Sequence, residues 1–272
     1  INNALIDDST VAIGKHIERK EEGETRSGLI VDASSTRDLK SFLITAGVAG
    51  EGAGVTGTVN VNMIDGATSA GITNTNVNNV DDAGNVFVNA GDYSSMSGFV
   101  GSAAVGGIGA GVGLASDTNT ISRKVNASVA KSDIKADTFE LDADSAQGVS
   151  SFGTGVGAAG IGGGAAGVVT VTELNNTTKT MLNNSKVNAN TVNIKANHTG
   201  IVNAGNVSVG GAGLGVGGGL SVGVLKDNST TEVTVKGDKS EEDTITASGD
   251  VTIAAANTAT AVSYTHLTLP TI

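Results

Sequence analysis

Cysteine and tryptophan are absent from this sequence, proline occurs once, and phenylalanine and tyrosine together number seven. Without cysteine there can be no disulfide and no thiolate metal site. With one proline, almost every residue keeps the backbone N–H that a β-ladder needs. Aromatic side chains carry much of the burial in ordinary cores, so the interior is expected to be narrow and filled by Ala, Val, Ile and Leu. Basic residues are also short: 16 Lys and Arg stand against 27 Asp and Glu, a net charge of −11. That balance disfavours nucleic acid, whose phosphates need cationic clusters, and disfavours docking on anionic lipid.

Chemistry-bearing motifs are scarce. The three histidines are His16, His198 and His266, and neither a nucleophile elbow nor H-E-x-x-H spacing accompanies them. His198 lies just past an alternating segment and reads as a solvated corner residue. The sequence therefore offers no catalytic residue, no metal ligand and no cofactor site, and a binding site is not assigned to particular residues. Asp142 and Asp144 alternate on a strand and are expected to point outward; calcium at Asp-rich corners lacks the G-G-x-G-x-D repeat. Two G-x-G-x-x-G matches, at 155–160 and 213–218, precede no helical pattern, and a dinucleotide site needs one. The uncharged run 203–225 is long enough to span a bilayer as a helix, but its glycines and polar residues argue for strand and against membrane insertion.

What is abundant is glycine, 40 of 272 residues, about twice the usual share, and repetition. In residues 182–196, Val187 and Ala189, then Val192, Ile194 and Ala196, alternate with polar residues, the mark of half-buried strands. The phase breaks at Asn190-Thr191, which reads as a corner. Fifty-three residues earlier, Ile134, Ala136, Phe139, Leu141 and Ala143 occupy the equivalent places. The repeats end on alanines at 33, 90, 143, 196 and 255, in steps of 57, 53, 53 and 59. Each full repeat also carries a glycine-rich block, at 47–57, 98–113, 153–167 and 205–219, leading into another alternating segment.

These features predict an all-β fold, a parallel β-helix or β-solenoid with repeats of about 53–59 residues, forming one array over residues 1–262. Dividing each repeat into three coils of about 18 residues predicts about 14 coils and a rod about 65 Å long. A charged insertion at 15–27, and a smaller one at 239–244, interrupt the pattern at corners. They are expected to project as exposed loops, the first alternatively as a short solvated helix. Residues 263–272 hold the sole proline and break the pattern; they read as a non-native tail, an assembly artefact. The chain begins at Ile1 inside a repeat and reads as a fragment.

The segments Ile6–Val11, Asn175–Lys179 and Asp250–Ala254, with the Gly-Val-Gly blocks, resemble the repeats of large filamentous-haemagglutinin-like adhesins. These are surface proteins of Gram-negative bacteria exported by autotransporter or two-partner secretion. The resemblance implies a right-handed helix, extracellular display at an outer-membrane-anchored cell surface, and attachment to glycans or proteins of host cells or other bacteria. It transfers no binding residue. The role expected is a non-enzymatic adhesive or spacer segment; the alternative is a polysaccharide-binding or polysaccharide-degrading β-helix, which would gather Asp, Arg and aromatic residues on one face.

Overall fold

The computed structural model describes residues 1–13, 18–21, 24–80, 84–237 and 245–268. Among them every regular element is a β-strand: β1 (Asn2–Asp7), β2 (Thr10–Ile13), β3 (Glu18–Glu21), β4 (Glu24–Thr73), β5 (Asn76–Asn79), β6 (Asn85–Ala130), β7 (Asp133–Leu174), β8 (Thr177–Asn183), β9 (Lys186–Asp227), β10 (Thr230–Lys236), β11 (Ile245–Ala247) and β12 (Val251–Thr268). The ladders joining successive repeats are parallel, and the fold is a β-solenoid.

The register corrects the expected coil size. Ala33 pairs with Ala90, Ala90 with Ala143, Ala143 with Ala196, and Ala196 with Ala255. One repeat is therefore one whole turn, not three coils of 18 residues. Five levels at about 4.8 Å make a stack about 19 Å high in place of a 65 Å rod. The alternation in sequence is real, but it continues through the glycine block, so no turn closes within a repeat.

Each turn has a thick body and a thin fin. In the body, three short sides pack their inward residues into one core that includes Ile72, Val77, Val88, Ala90, Ala143, Phe139 and Val192. The three alanines and two larger residues expected to face inward there, Ala90, Ala143, Ala196, Phe139 and Val192, are all buried. One corner is built identically in successive turns. Asp8, Asn74, Lys131 and Asn184 adopt positive φ of 47–51°, and the next residue is Ser or Thr. Ser132 Oγ donates to Ala130 O at 2.8 Å and accepts from Thr75 N at 3.1 Å; Ser185 Oγ accepts from Ser132 N at 3.1 Å. Each hydroxyl thus ties its own turn and the preceding one.

Beyond the body the chain runs out along one arm and returns along a second that faces it. Thr45 meets Thr58 at 2.5 Å, and Ser221 donates to Ser208 at 3.0 Å, within single turns. The reversal falls at Gly52, Gly109, Gly162 and Gly215, which stack in register with φ between 92° and 144°. Near the tip the arms approach so closely that a Cβ on Gly157 would lie 1.7 Å from Ala165 O. Hence the glycine blocks: they let facing arms of one turn touch backbone to backbone.

The described part of the charged insertion is an antiparallel hairpin, β3 on residues 24–27 of β4, with no helix among its described residues. Residues 14–17, 22–23, 81–83 and 238–244 lie outside the described residues, as does the smaller insertion at 239–244. At the other end β12 passes the boundary expected at 262, with Ser263–Thr268 paired to 204–209.

Candidate interaction surfaces and buried polar clusters

The fin reverses the usual arrangement of polar and apolar residues. Its interior was expected to hold Ala, Val, Ile and Leu; apolar residues do fill the neck, Ile64, Met96, Ile121, Val149 and Leu174, but beyond it come polar groups. Buried Asp117 accepts from Asn60 Nδ2 at 2.9 Å, Asn119 Nδ2 at 2.8 Å and Ser151 Oγ. Asn62 donates to Asn119 at 2.8 Å and to Ser41 at 2.9 Å. Between arms this close, short polar side chains share the interior with Val100, Ala115 and Val168, and those around Asp117 bond one another.

Where the fin meets the body, Arg123 and Asp92 form an ion pair whose side chains are both fully buried. Arg123 Nε donates to Asp92 at 3.0 Å, and Nη2 donates to Asp92, to Ser35 at 3.2 Å and to Thr68 at 3.3 Å. Ser94 adds a 2.8 Å bond to Asp92. The sequence reading singled out none of these residues. Parity carries the signal: Asp92 and Ser94 follow Ala90 by two and four, on the inward phase.

The same parity places His198, two residues after Ala196, inside β9. It is 2% exposed, which corrects the solvated-corner reading. Its Nδ1 shares a proton with Ser145 Oγ at 2.8 Å, and Ser145 pairs with Thr178 at 2.7 Å. Burial pushes the imidazole below its ordinary range, against the opposing pull of Asp227. Ser145 and His198 thus have the contact of a nucleophile and its base, yet both are sealed in the wall of the solenoid away from any substrate. His16 lies outside the described residues, and His266 is exposed on β12. Among the described residues no three His, Asp or Glu side chains gather as a metal site.

Asp142 and Asp144 point outward as expected, but both are half-buried. Desolvation, with Asp144 and Glu140 beside it and Lys195 opposing, pushes Asp142 up to about 6. Tyr93 is raised by burial and by Asp144.

Two outer surfaces are open to partners. Along the first arm a shallow groove of 460 Å³ gathers Arg37, Asp38, Tyr93, Ser95, Thr199 and Ile201. It joins a second groove of 330 Å³ that contains Lys40 and Asn203. Asp38 bonds Ser95 at 2.7 Å and pairs with Lys40 at 3.0 Å, and both contacts hold its carboxyl below the usual range. Beyond the groove Phe42, Phe99 and Phe152 stack at 4.9 and 5.8 Å. The second arm turns a largely apolar sheet to solvent, with Val59, Val61, Met63, Leu114, Leu220 and Val224 exposed and Ser116, Thr118 and Thr120 on its second turn. Both G-x-G-x-x-G matches lie at the fin tip among paired strands. Among the described residues no helix is long and apolar enough to cross a membrane. The body's inward columns stay apolar from turn to turn, as in Val31, Val88, Leu141 and Ile194, whereas inward columns of the fin and its base vary, as in Ser35, Asp92, Ser145 and His198, and so do outward ones, as in Asp38, Ser95, Gly148 and Ile201. No protein-family model, curated protein or solved structure matches this chain.

Proposed function

We propose that this chain is a passenger segment of a bacterial cell-surface adhesin, displayed outside the cell as an adhesive or spacer unit that contacts surface glycans or proteins. The observation that supports this reading most is the pairing of one repeat per turn, which spreads side chains over a broad outer surface without enclosing a deep pocket. An enzyme of this size ordinarily concentrates its chemistry in a concave site. The groove at Tyr93 supplies the features a sugar or peptide needs: an aromatic face, a cation in Arg37 and a carboxylate in Asp38. Its shallowness makes binding weak per contact, with avidity gained across many copies on a cell.

The test is adhesion of cells displaying the segment. Removing one 53-residue turn should lower attachment by degrees, and scrambling outward residues while keeping inward ones should abolish it if the segment is adhesive. Attachment unaffected by scrambling at constant length assigns the spacer role. Turnover of a polysaccharide by the purified chain would refute the proposal and favour the degrading alternative.

A further inference from the structure

The outer face of the second arm is a parallel sheet that nothing among the described residues covers. All-parallel sheets occur almost only with both faces buried; here one face meets the first arm and the other meets water. Its five outward columns begin at Val55, Gly57, Val59, Val61 and Met63 and run through four turns. Charge enters only in the last column, where Glu173 and Lys226 pair with each other at 3.0 Å. We infer that this face is the interface of a dimer of the chain, two copies packing fin to fin through the second arm. The inference does not depend on the adhesive or spacer role.

Three observations choose a second copy as the occupant. The first is area: five columns by four turns cover about 600 Å² per copy, hence about 1,200 Å² in a dimer, where specific interfaces begin. The second is self-complementarity. The Gly57 column reads Gly57, Leu114, Gly167, Leu220 through the stack. A two-fold axis parallel to the strands keeps the column and reverses the turn order. Each leucine then faces a glycine, Leu220 opposite Gly57 and Leu114 opposite Gly167. Gly57 has nothing within 4 Å of where its Cβ would be, leaving room for Leu220; over Gly167 the same copy's Leu114 already reaches, its Cδ2 2.9 Å from the Cβ position, so that half of the match needs Leu114 to turn. The third disfavours lipid. Among the described residues, 34–66 of β4 and 210–227 of β9 each have one edge without a ladder partner. Hydrocarbon would leave those backbone groups unsatisfied, whereas the rim of an aqueous dimer hydrates them.

Sedimentation of the whole 272-residue chain tests this. The wild type is expected to be a dimer at micromolar concentration. Val169→Lys, which sets an unpaired ammonium opposite Ser116 of the second copy, should weaken association roughly 100-fold or more. Val61→Lys, two-thirds exposed on the first turn, serves as a second variant if Val169→Lys fails to give the native circular dichroism spectrum. Ala46→Lys, on the first arm's outer face, should leave the dimer intact. Adding Val224→Glu to Val61→Lys should restore much of the affinity, because the two-fold brings these positions together whereas three turns part them within one copy. A monomeric wild type overturns the inference, as does equal weakening by Ala46→Lys or by neither lysine on the second arm. Failure of the double variant to recover overturns the two-fold register. A monomer that floats with phosphatidylcholine vesicles makes lipid the occupant and overturns it too.

Discussion

The buried pair Arg123–Asp92 gives the sharpest test of how the fin is joined to the body. Among the described residues, Asp92→Ala removes the one carboxylate bonded to the guanidinium and leaves the charge buried with Ser35 and Thr68 as its remaining side-chain partners. Breaking one side of such a pair costs about 3–5 kcal/mol. For a chain of this size, that is a fall in Tm on the order of 10 °C. Replacing both charges, as Arg123→Met with Asp92→Asn, should recover most of the loss. Met keeps much of the arginine volume, and the amide can keep the 2.8 Å contact with Ser94. With the single variants Arg123→Met and Asp92→Asn completing the cycle, the coupling between the two sites should exceed about 2 kcal/mol. Urea unfolding followed by far-UV circular dichroism reads this, since the chain has no tryptophan to report by fluorescence. If Asp92→Ala cost less than about 1 kcal/mol, or the double variant were no better than the single, the pair would not bind fin to body as argued.

Three further outcomes follow from the geometry. Asp142 is raised in the folded chain to about 6 from an ordinary 3.8, so the unfolded chain ionises first and stability falls as pH rises between these values and stays lower above them. Asp142→Asn should flatten that part of a Tm-against-pH curve and raise Tm at neutral pH; a wild-type curve flat from pH 4 to 6 would exclude the effect. Gly157→Ala, whose Cβ would lie 1.7 Å from Ala165 O, should cost several kcal/mol, while Gly148→Ala, with open space around it, should change stability by less than about 1 kcal/mol; equal effects in thermal melts would contradict the close approach of the arms. Ser132→Ala leaves the buried Thr75 N–H without its acceptor and should cost about 1–3 kcal/mol, against little change for Ser95→Ala on the outer face.

The sequence announced the solenoid through alternation and through alanines recurring at fixed steps, and the register of Ala33 to Ala255 matches those steps residue for residue. It did not announce how much chain makes one turn. Period two states which residues share a face, and the chain can keep that period while running out along one arm and back along another. Only the partner of each residue, one repeat away, distinguishes a turn of 53 from three of 18. The buried polar groups were legible in principle. His198 reads as solvated by residue type, while Asp92 and Asp117 belong to no motif and go unmarked; type is a weak guide where facing arms bury short polar side chains. The apolar exterior shared that difficulty: alternation puts Val59, Val61 and Val222 on one phase without saying which phase is inward, and they face out because Thr58, Asn60 and Ser221 take the inward one.

The register of one repeat per turn has a consequence for what the chain can build. Each 53-residue turn raises the stack by about 4.8 Å, whereas the same residues in a single helix would reach about 80 Å. As a means of gaining distance from a cell this is a poor use of polypeptide. What the residues create is breadth, a blade tens of ångströms deep whose cross-section is copied at every level. Duplication of a turn lengthens both outer faces by one strand while leaving every existing contact in place, so such an array would grow in contact area much faster than in reach.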